Sequence, residues 1–227
     1  MKKIKIIKDG PYLVSGNIPI RELVITNSNG CNTYKKGREI KTDEAYALCR
    51  CGHSKNKPFC DGSHKDCHFS GKTTASKKEF SKEAKKYNGK NIFLEDVESL
   101  CAFARFCHYG DQNVWDLTEY ANTKDEEELA VKLACDCPAG RLVAYDKLSG
   151  EAIEPTYEES IVVLQDSSSN CSGPLWVRGG VTIEDEEGSI LEKRNRVTLC
   201  RCGESQNKPF CDATHVGIKF KDDYFKK

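Results

Sequence analysis

Cys49 to His64, CRCGHSKNKPFCDGSH, constrains this chain more than any other stretch. It spaces three thiols and one imidazole as Cys-x-Cys, eight residues, Cys, three residues, His, which is a metal-site spacing of soft ligands. The chain repeats it as Cys200 to His215, CRCGESQNKPFCDATH, with 12 of 16 positions identical and every candidate ligand in register. Any fold for this chain has to build the same metal-binding loop twice.

Two thiols one residue apart at a strand end reach the same face of a small centre. In PFCDGSH, Pro58 is suited to open a helical turn and Asp61 to cap one, so that Cys60 and His64 share a face of that turn. Backbone N–H groups at such a turn favour an anionic cluster. These residues resemble the CDGSH, mitoNEET-like, iron–sulfur domain family. The resemblance implies that Cys49, Cys51, Cys60 and His64 hold one 2Fe-2S cluster and that Cys200, Cys202, Cys211 and His215 hold another. The second copy departs at Ala213 and Thr214, where the first has Gly62 and Ser63. Ala213 matters only if the turn needs a positive φ. A structural zinc is the alternative, since three Cys and one His are a common tetrahedral set. Zinc modules, however, usually place their ligands in CxxC pairs, whereas CxC followed by CxxxH belongs to the CDGSH pattern.

At 227 residues, 38% hydrophobic and 31% charged, the chain reads as globular, with room for two or three small domains. Its 35 basic and 35 acidic residues cancel, so nothing global points to nucleic acid or to an anionic membrane surface. No continuous apolar run suits a signal peptide or a membrane span, which leads to an expectation of a cytoplasmic protein. In that compartment the 13 cysteines are expected to be reduced metal ligands rather than disulfides.

Residues 4 to 25 read as short strands broken by turns at Asp9-Gly-Pro and Ser15-Gly-Asn. GPYLVSGNIPI at 10 to 20 recurs as GPLWVRGGVTI at 173 to 183, each ahead of its Cys/His motif, so a whole β-rich half is duplicated. Phe69 and Phe220 follow the two histidines at equal distances, as if each half returned in a final strand. Between the halves, residues 72 to 90 carry seven lysines against two glutamates and read as a solvated face or linker. The expected architecture is α+β: a first module at 1–71, an insert at 72–160 and a second module at 161–227. By resemblance the two β-rich modules form a pseudo-twofold pair within a monomer, and the resemblance leaves open which strands are exchanged between them.

The insert carries CAFARFC at 101 to 107 and CDCPAGRL at 135 to 142. Thr123 followed by Glu126 is a capping-box signal for a helix through about Ala134, which would deliver Cys135 and Cys137. A Cys-Pro closes ferredoxin sites, and Cys101 and Cys107 keep the outer spacing of the bacterial ferredoxin run with Ala104 at its middle cysteine. The segment resembles divergent mono-cluster ferredoxin domains that accompany CDGSH modules, and YNGKNIFL at 87 to 94 looks like their preceding strand. The resemblance implies Cys101, Cys107 and Cys137 as ligands of a third cluster. Three thiolates suit 3Fe-4S; Cys135, or more weakly His108, would supply a fourth ligand for 4Fe-4S. Cys135 reads equally as a packed thiol, and the insert as one that holds zinc or nothing. Cys31, Cys67 and Cys171 fall outside every motif. Arg194 and Arg196 sit just ahead of the second site in sequence and are expected near it.

No dinucleotide fingerprint, P-loop or nucleophile elbow is present, and no acid, base or nucleophile constellation stands outside the ligands. The expectation is therefore an electron-transfer protein rather than an enzyme, acting with redox partner proteins. Storage or transfer of clusters to apo acceptors, or redox sensing, is the second reading, and a zinc-stabilised interaction module the third. Replacing a thiolate by imidazole raises the potential and makes a cluster acid-labile, so His64→Cys or His215→Cys should make its own cluster more acid-stable.

Overall fold

A computed structural model describes residues 1–28 and 30–226. In chain order it contains β1 (Lys3–Ile6), β2 (Tyr12–Ser15), β3 (Ile20–Ser28), β4 (Cys31–Glu39) and β5 (Tyr46–Leu48). The central part holds α1 (Phe80–Glu83), β6 (Lys85–Asn88), β7 (Ile92–Asp96), β8 (His108–Tyr109), β9 (Gln112–Asn113), α2 (Val114–Tyr120), α3 (Lys124–Asp136), β10 (Leu142–Asp146) and β11 (Ala152–Ile153). The last part holds β12 (Ser160–Asp166), β13 (Cys171–Arg178), β14 (Thr182–Glu184), β15 (Arg196–Leu199) and α4 (Thr214–Gly217). The class is mixed α+β, as the sequence led one to expect.

Period-two alternation places Ile4, Ile6, Tyr12 and Val14 on the buried face of β1 and β2. Residues with positive φ, Asp9 at 47° and Gly16 and Asn17 at 87° and 56°, make the turns on either side of β2. The second half repeats the plan: the antiparallel order β1-β2-β5 corresponds to β12-β13-β15.

The next strand of each half crosses over. β3 pairs in parallel with β12, Ile20 opposite Ile161, and β14 pairs in parallel with β1, Ile183 opposite Ile4. Ile20 and Ile183 are equivalent positions of the repeated phrase, so the exchange is reciprocal and in equivalent register. This settles the strand exchange that the sequence left open. One core results from both halves, joining Ile4, Tyr12 and Leu48 to Ile161, Leu175 and Leu199. At about 1.5–3 kcal/mol per large buried side chain, that shared core outweighs what either half could bury alone.

The insert has its own sheet, ordered β11-β10-β7-β6, covered by α2 and α3. Thr123 and Glu126 form the capping box, and Ala130, Leu133 and Ala134 present the buried stripe of α3 to Leu94 and Leu142. YNGKNIFL spans a β6–β7 hairpin rather than one strand. The lysine-rich stretch is less uniform than its charge suggested, because Phe80 is buried against Val97 and Leu100.

Two local expectations are corrected. Pro58 does not open a helical turn; it precedes Phe59, which bridges back to Leu48. Phe69 and Phe220 do not begin final strands. Their N–H groups donate to the His64 and His215 carbonyls, and their rings lie under Arg50 and Arg201 at 5.2 and 5.3 Å.

Candidate metal centres

Each repeated site is made from a strand end and a turn. β5 and β15 end one residue before Cys49 and Cys200, and the loop beyond returns so that the N–H groups of Cys60 and Cys211 donate to the Ala47 and Thr198 carbonyls. Asp61 then holds the turn from both sides, accepting from the Lys55 N–H at 2.7 Å and the Ser63 N–H at 3.0 Å. Asp212 does the same with Gln206 and Thr214. The turn residue that follows is left-handed in both copies, Gly62 at φ 92° and Ala213 at φ 71°. The turn therefore does require a positive φ, and the second copy adopts it with a Cβ in place.

These elements bring the ligands together as pairs. Cys49 Sγ and Cys51 Sγ lie 3.8 Å apart, and Cys60 Sγ lies 3.4 Å from His64 Nδ1. The second copy gives 3.6 Å for Cys200 and Cys202 and 3.3 Å for Cys211 and His215 Nδ1. Among the described residues, no three of His, Cys, Asp and Glu converge on one ion position. Each repeated site thus presents its four candidate ligands as two close pairs, Cys with Cys and Cys with His.

The electrostatics ask for a cation. A hydrogen bond from Cys51, helped by the Gly52 and Ser54 N–H groups against the opposing effect of burial, brings the Cys49 thiol down to about 6, and Cys51 is pushed up in return. Cys200 falls likewise to about 7 against Cys202. Two thiols this close do not both ionise unless a positive ion shares them. Burial holds the His215 imidazolium down to about 4, leaving a neutral ring with a lone pair to donate.

The two loops meet back to back. A Cβ on Gly52 would run into the Cys202 carbonyl, and one on Gly203 into the Cys51 carbonyl. Both glycines have positive φ, so these positions exclude side chains by space and by conformation.

In the insert, Cys101, Cys107 and Cys137 line one small cavity of about 30 Å³ with Ala102, Ala104, Pro138, Ala139 and Arg141. Phe103 and Arg105, two apart in the Cys101–Cys107 loop, are left-handed at φ 54° and 61°. Non-glycine residues hold such φ values where a site uses the strain. Arg105 fixes the loop through Asp166 at 2.8 Å, and Asn32 donates to the Ala104 carbonyl at 3.0 Å. Three thiols around one pocket suit a metal centre. Cys135 is not brought to the cavity: its thiol donates to the Ile153 carbonyl at 3.3 Å. His108 Nδ1 lies 3.2 Å from Cys107 Sγ, but the ring is on an exposed residue.

Arg194 and Arg196 serve the insert rather than the second site. The Arg196 guanidinium, fully buried, donates to the Ala134, Cys135 and Cys137 carbonyls at 2.7–2.8 Å and pairs with Glu154 at 2.7 Å, while Arg194 donates to the Gly140 carbonyl. A guanidinium on orphan carbonyls at the end of α3 fixes the segment that carries Cys137. Arg141 pairs with Asp96 at 2.5 Å, and Trp115 donates to the same carboxylate at 2.9 Å. Arg141 stands in the CDCPAGRL motif and Arg194 and Arg196 ahead of the second one, but their partners Asp96, Trp115 and Glu154 carried no signal in the sequence.

Of the remaining cysteines, Cys171 is buried and Cys67 lies near the His64 carbonyl at 3.7 Å. No helix is long and apolar enough to cross a membrane. Comparison with known families finds a match to the iron-binding zinc finger of CDGSH type at residues 9–65 and 172–216, and a match to the divergent 4Fe-4S mono-cluster family at residues 87–147. No curated protein and no solved structure matches the chain.

Proposed function

Because the chain is an iron–sulfur protein made of two CDGSH-type modules around a divergent mono-cluster domain, we propose that it transfers single electrons. The reading takes a 2Fe-2S cluster at each repeated site and a third cluster, of 3Fe-4S or 4Fe-4S type, in the insert. The observation that carries it is the arrangement of ligands at the repeated sites as two close pairs, Cys with Cys and Cys with His. Such clusters supply reversible one-electron chemistry.

The chain's own residues position and insulate. Cys49 with Cys51 and Cys60 with His64 would each hold one iron of the first cluster, and Cys200, Cys202, Cys211 and His215 would do so in the second. Cys101, Cys107 and Cys137 would hold three irons of the third, with a fourth ligand needed only for 4Fe-4S. The Gly52–Cys202 and Gly203–Cys51 contacts keep the two repeated sites in fixed register. Ala102, Ala139, Cys137 and Cys211 pack together, so the third site lies against the second. Redox proteins are the partners on this reading, and the chain acts as a monomer in the cytoplasm.

Cluster donation from the first site is the second reading, favoured by the half-buried state of Cys60 and His64. Mixing the loaded protein with an apo-ferredoxin separates the two. An electron carrier cycles through reduction and reoxidation with its iron retained, whereas a donor loses iron to the acceptor; iron loss without reversible cycling would overturn electron transfer.

A further inference from the structure

The two repeated sites share their ligands but not their surroundings. Cys211 and His215 are 3% and 4% exposed, whereas Cys60 and His64 are half-buried. Two contacts account for this: α4, which carries His215, packs on β13, and the insert covers Cys211. Asn207 donates to the Ser99 carbonyl at 2.8 Å, and Cys211 packs on Ala102 and Ala139 beside Cys137. The described residues of the insert make no such contact with the first loop.

The charges beside the sites differ as well. The arginine inside each CxC motif is buried, Arg50 and Arg201 alike at 2% exposure. Arg201 is neutralised: Asp222, fully buried, pairs with it at 2.6 Å, and its other nitrogens donate to the Gly173 and Leu164 carbonyls. Asp222 is itself tied through Gln165 to Glu22, which pairs with Arg38. Arg50 lacks this arrangement. Gly71 occupies the position equivalent to Asp222, only its carbonyl accepts from Arg50, and Nε and Nη1 have no partner. Asp9 and Glu186 lie in the same corner, but Asp9 accepts from the Gly71 N–H and Glu186 from Thr73. Among the described residues no carboxylate pairs with Arg50. The lysines do not offset this, since Lys57 and Lys208 sit equivalently on the Ser54 and Ser205 carbonyls.

A buried cation that no carboxylate pairs with favours the reduced, more negative state of a cluster beside it, and a directly paired one has less effect. We propose that the two copies are unequal: the second is an inner relay against the insert's site, and the first, beside unpaired Arg50, is the higher-potential outer terminal. Electrons from a one-electron donor protein would therefore collect at the first site. Each transfer moves a single electron with no bond or proton exchanged, so that one site is oxidised by one electron as the next is reduced by one.

The inference rests on the electron-transfer reading. Its test is a redox titration of the full chain followed by EPR and visible absorption, with Cys60→Ser and Cys211→Ser variants assigning the signals. The first site should show the higher midpoint. Arg50→Met should lower that midpoint and leave the second unmoved, while Arg50→Lys should largely retain it, as a merely structural role for Arg50 would not require. Asp222→Asn should raise the second midpoint; if that variant fails to fold, Arg50→Met alone decides. Coincident midpoints, a higher second midpoint, or an unmoved first midpoint in Arg50→Met would overturn the inequality while leaving electron transfer standing. A protein with no reversibly reducible centre would overturn both.

Discussion

Ala213 sets the two copies of the ligand turn apart in backbone cost. At φ 71° it holds a conformation that costs an L-residue on the order of 1 kcal/mol, and Gly62 at φ 92° holds it freely. Ala213→Gly is therefore expected to stabilise the chain by about 1 kcal/mol, and Gly62→Ala to cost about as much. A Cβ at Gly62 meets nothing within 4 Å, so that cost is conformational alone. Denaturant midpoints of the loaded protein check both signs. The arginines of the two CxC motifs make a second pair. Arg201→Met strands Asp222 in the interior and should cost about 3–5 kcal/mol, whereas Arg50→Met removes a guanidinium with two unpartnered nitrogens and should cost far less. At this scale the Cys and His residues that the repeated turns bring together in pairs were legible, because the motif fixes their type and spacing. The positive φ was not, since Gly and Ala at one position leave the requirement undecided. Nor was Asp222, seven residues beyond His215, readable as the partner of Arg201.

At the scale of elements, α3 explains why only one of its two terminal cysteines reaches the cavity. Residues two apart near a helix end point about 200° apart around its axis, so a helix that aims Cys137 at the insert's site turns Cys135 away, toward Ile153. The helix itself was plain in the sequence from Thr123, Glu126 and the apolar stripe. Its anchor was not, because Arg196 arrives from β15, some sixty residues on. Arg196→Met should release the α3 carbonyls and strand Glu154, costing about 3 kcal/mol or more. Iron in the insert should fall while the first site keeps its own; equal loss from every site would contradict this division. Thr123→Ala, at the other end of α3, should cost only about 1 kcal/mol and leave the iron content unchanged.

At the scale of the molecule, the reciprocal crossing of β3 and β14 makes the halves inseparable. Ile183 lies in a sheet whose other strands all belong to the first half, and Ile20 lies between β12 of the second half and its own neighbour β4. Ile20→Ala or Ile183→Ala should cost about 2–5 kcal/mol and lower the melting of both repeated sites together, read as one cooperative transition by calorimetry and by cluster absorption. Two separate transitions would contradict a shared core. The repeat and its strands could be read from GPYLVSGNIPI and GPLWVRGGVTI, but alternation shows only which face is buried, not which sheet a strand joins. The central claim is that both ligand pairs of each repeated site, and the three thiols of the insert, hold iron. Iron, zinc and acid-labile sulfide per chain, measured on anaerobically purified protein, test it most directly. The account predicts about seven or eight iron atoms with matching sulfide, made up of four at the repeated sites and three or four in the insert, with EPR of the oxidised and reduced forms telling 3Fe-4S from 4Fe-4S. Zinc in place of iron, with no sulfide even after anaerobic reconstitution, would contradict it.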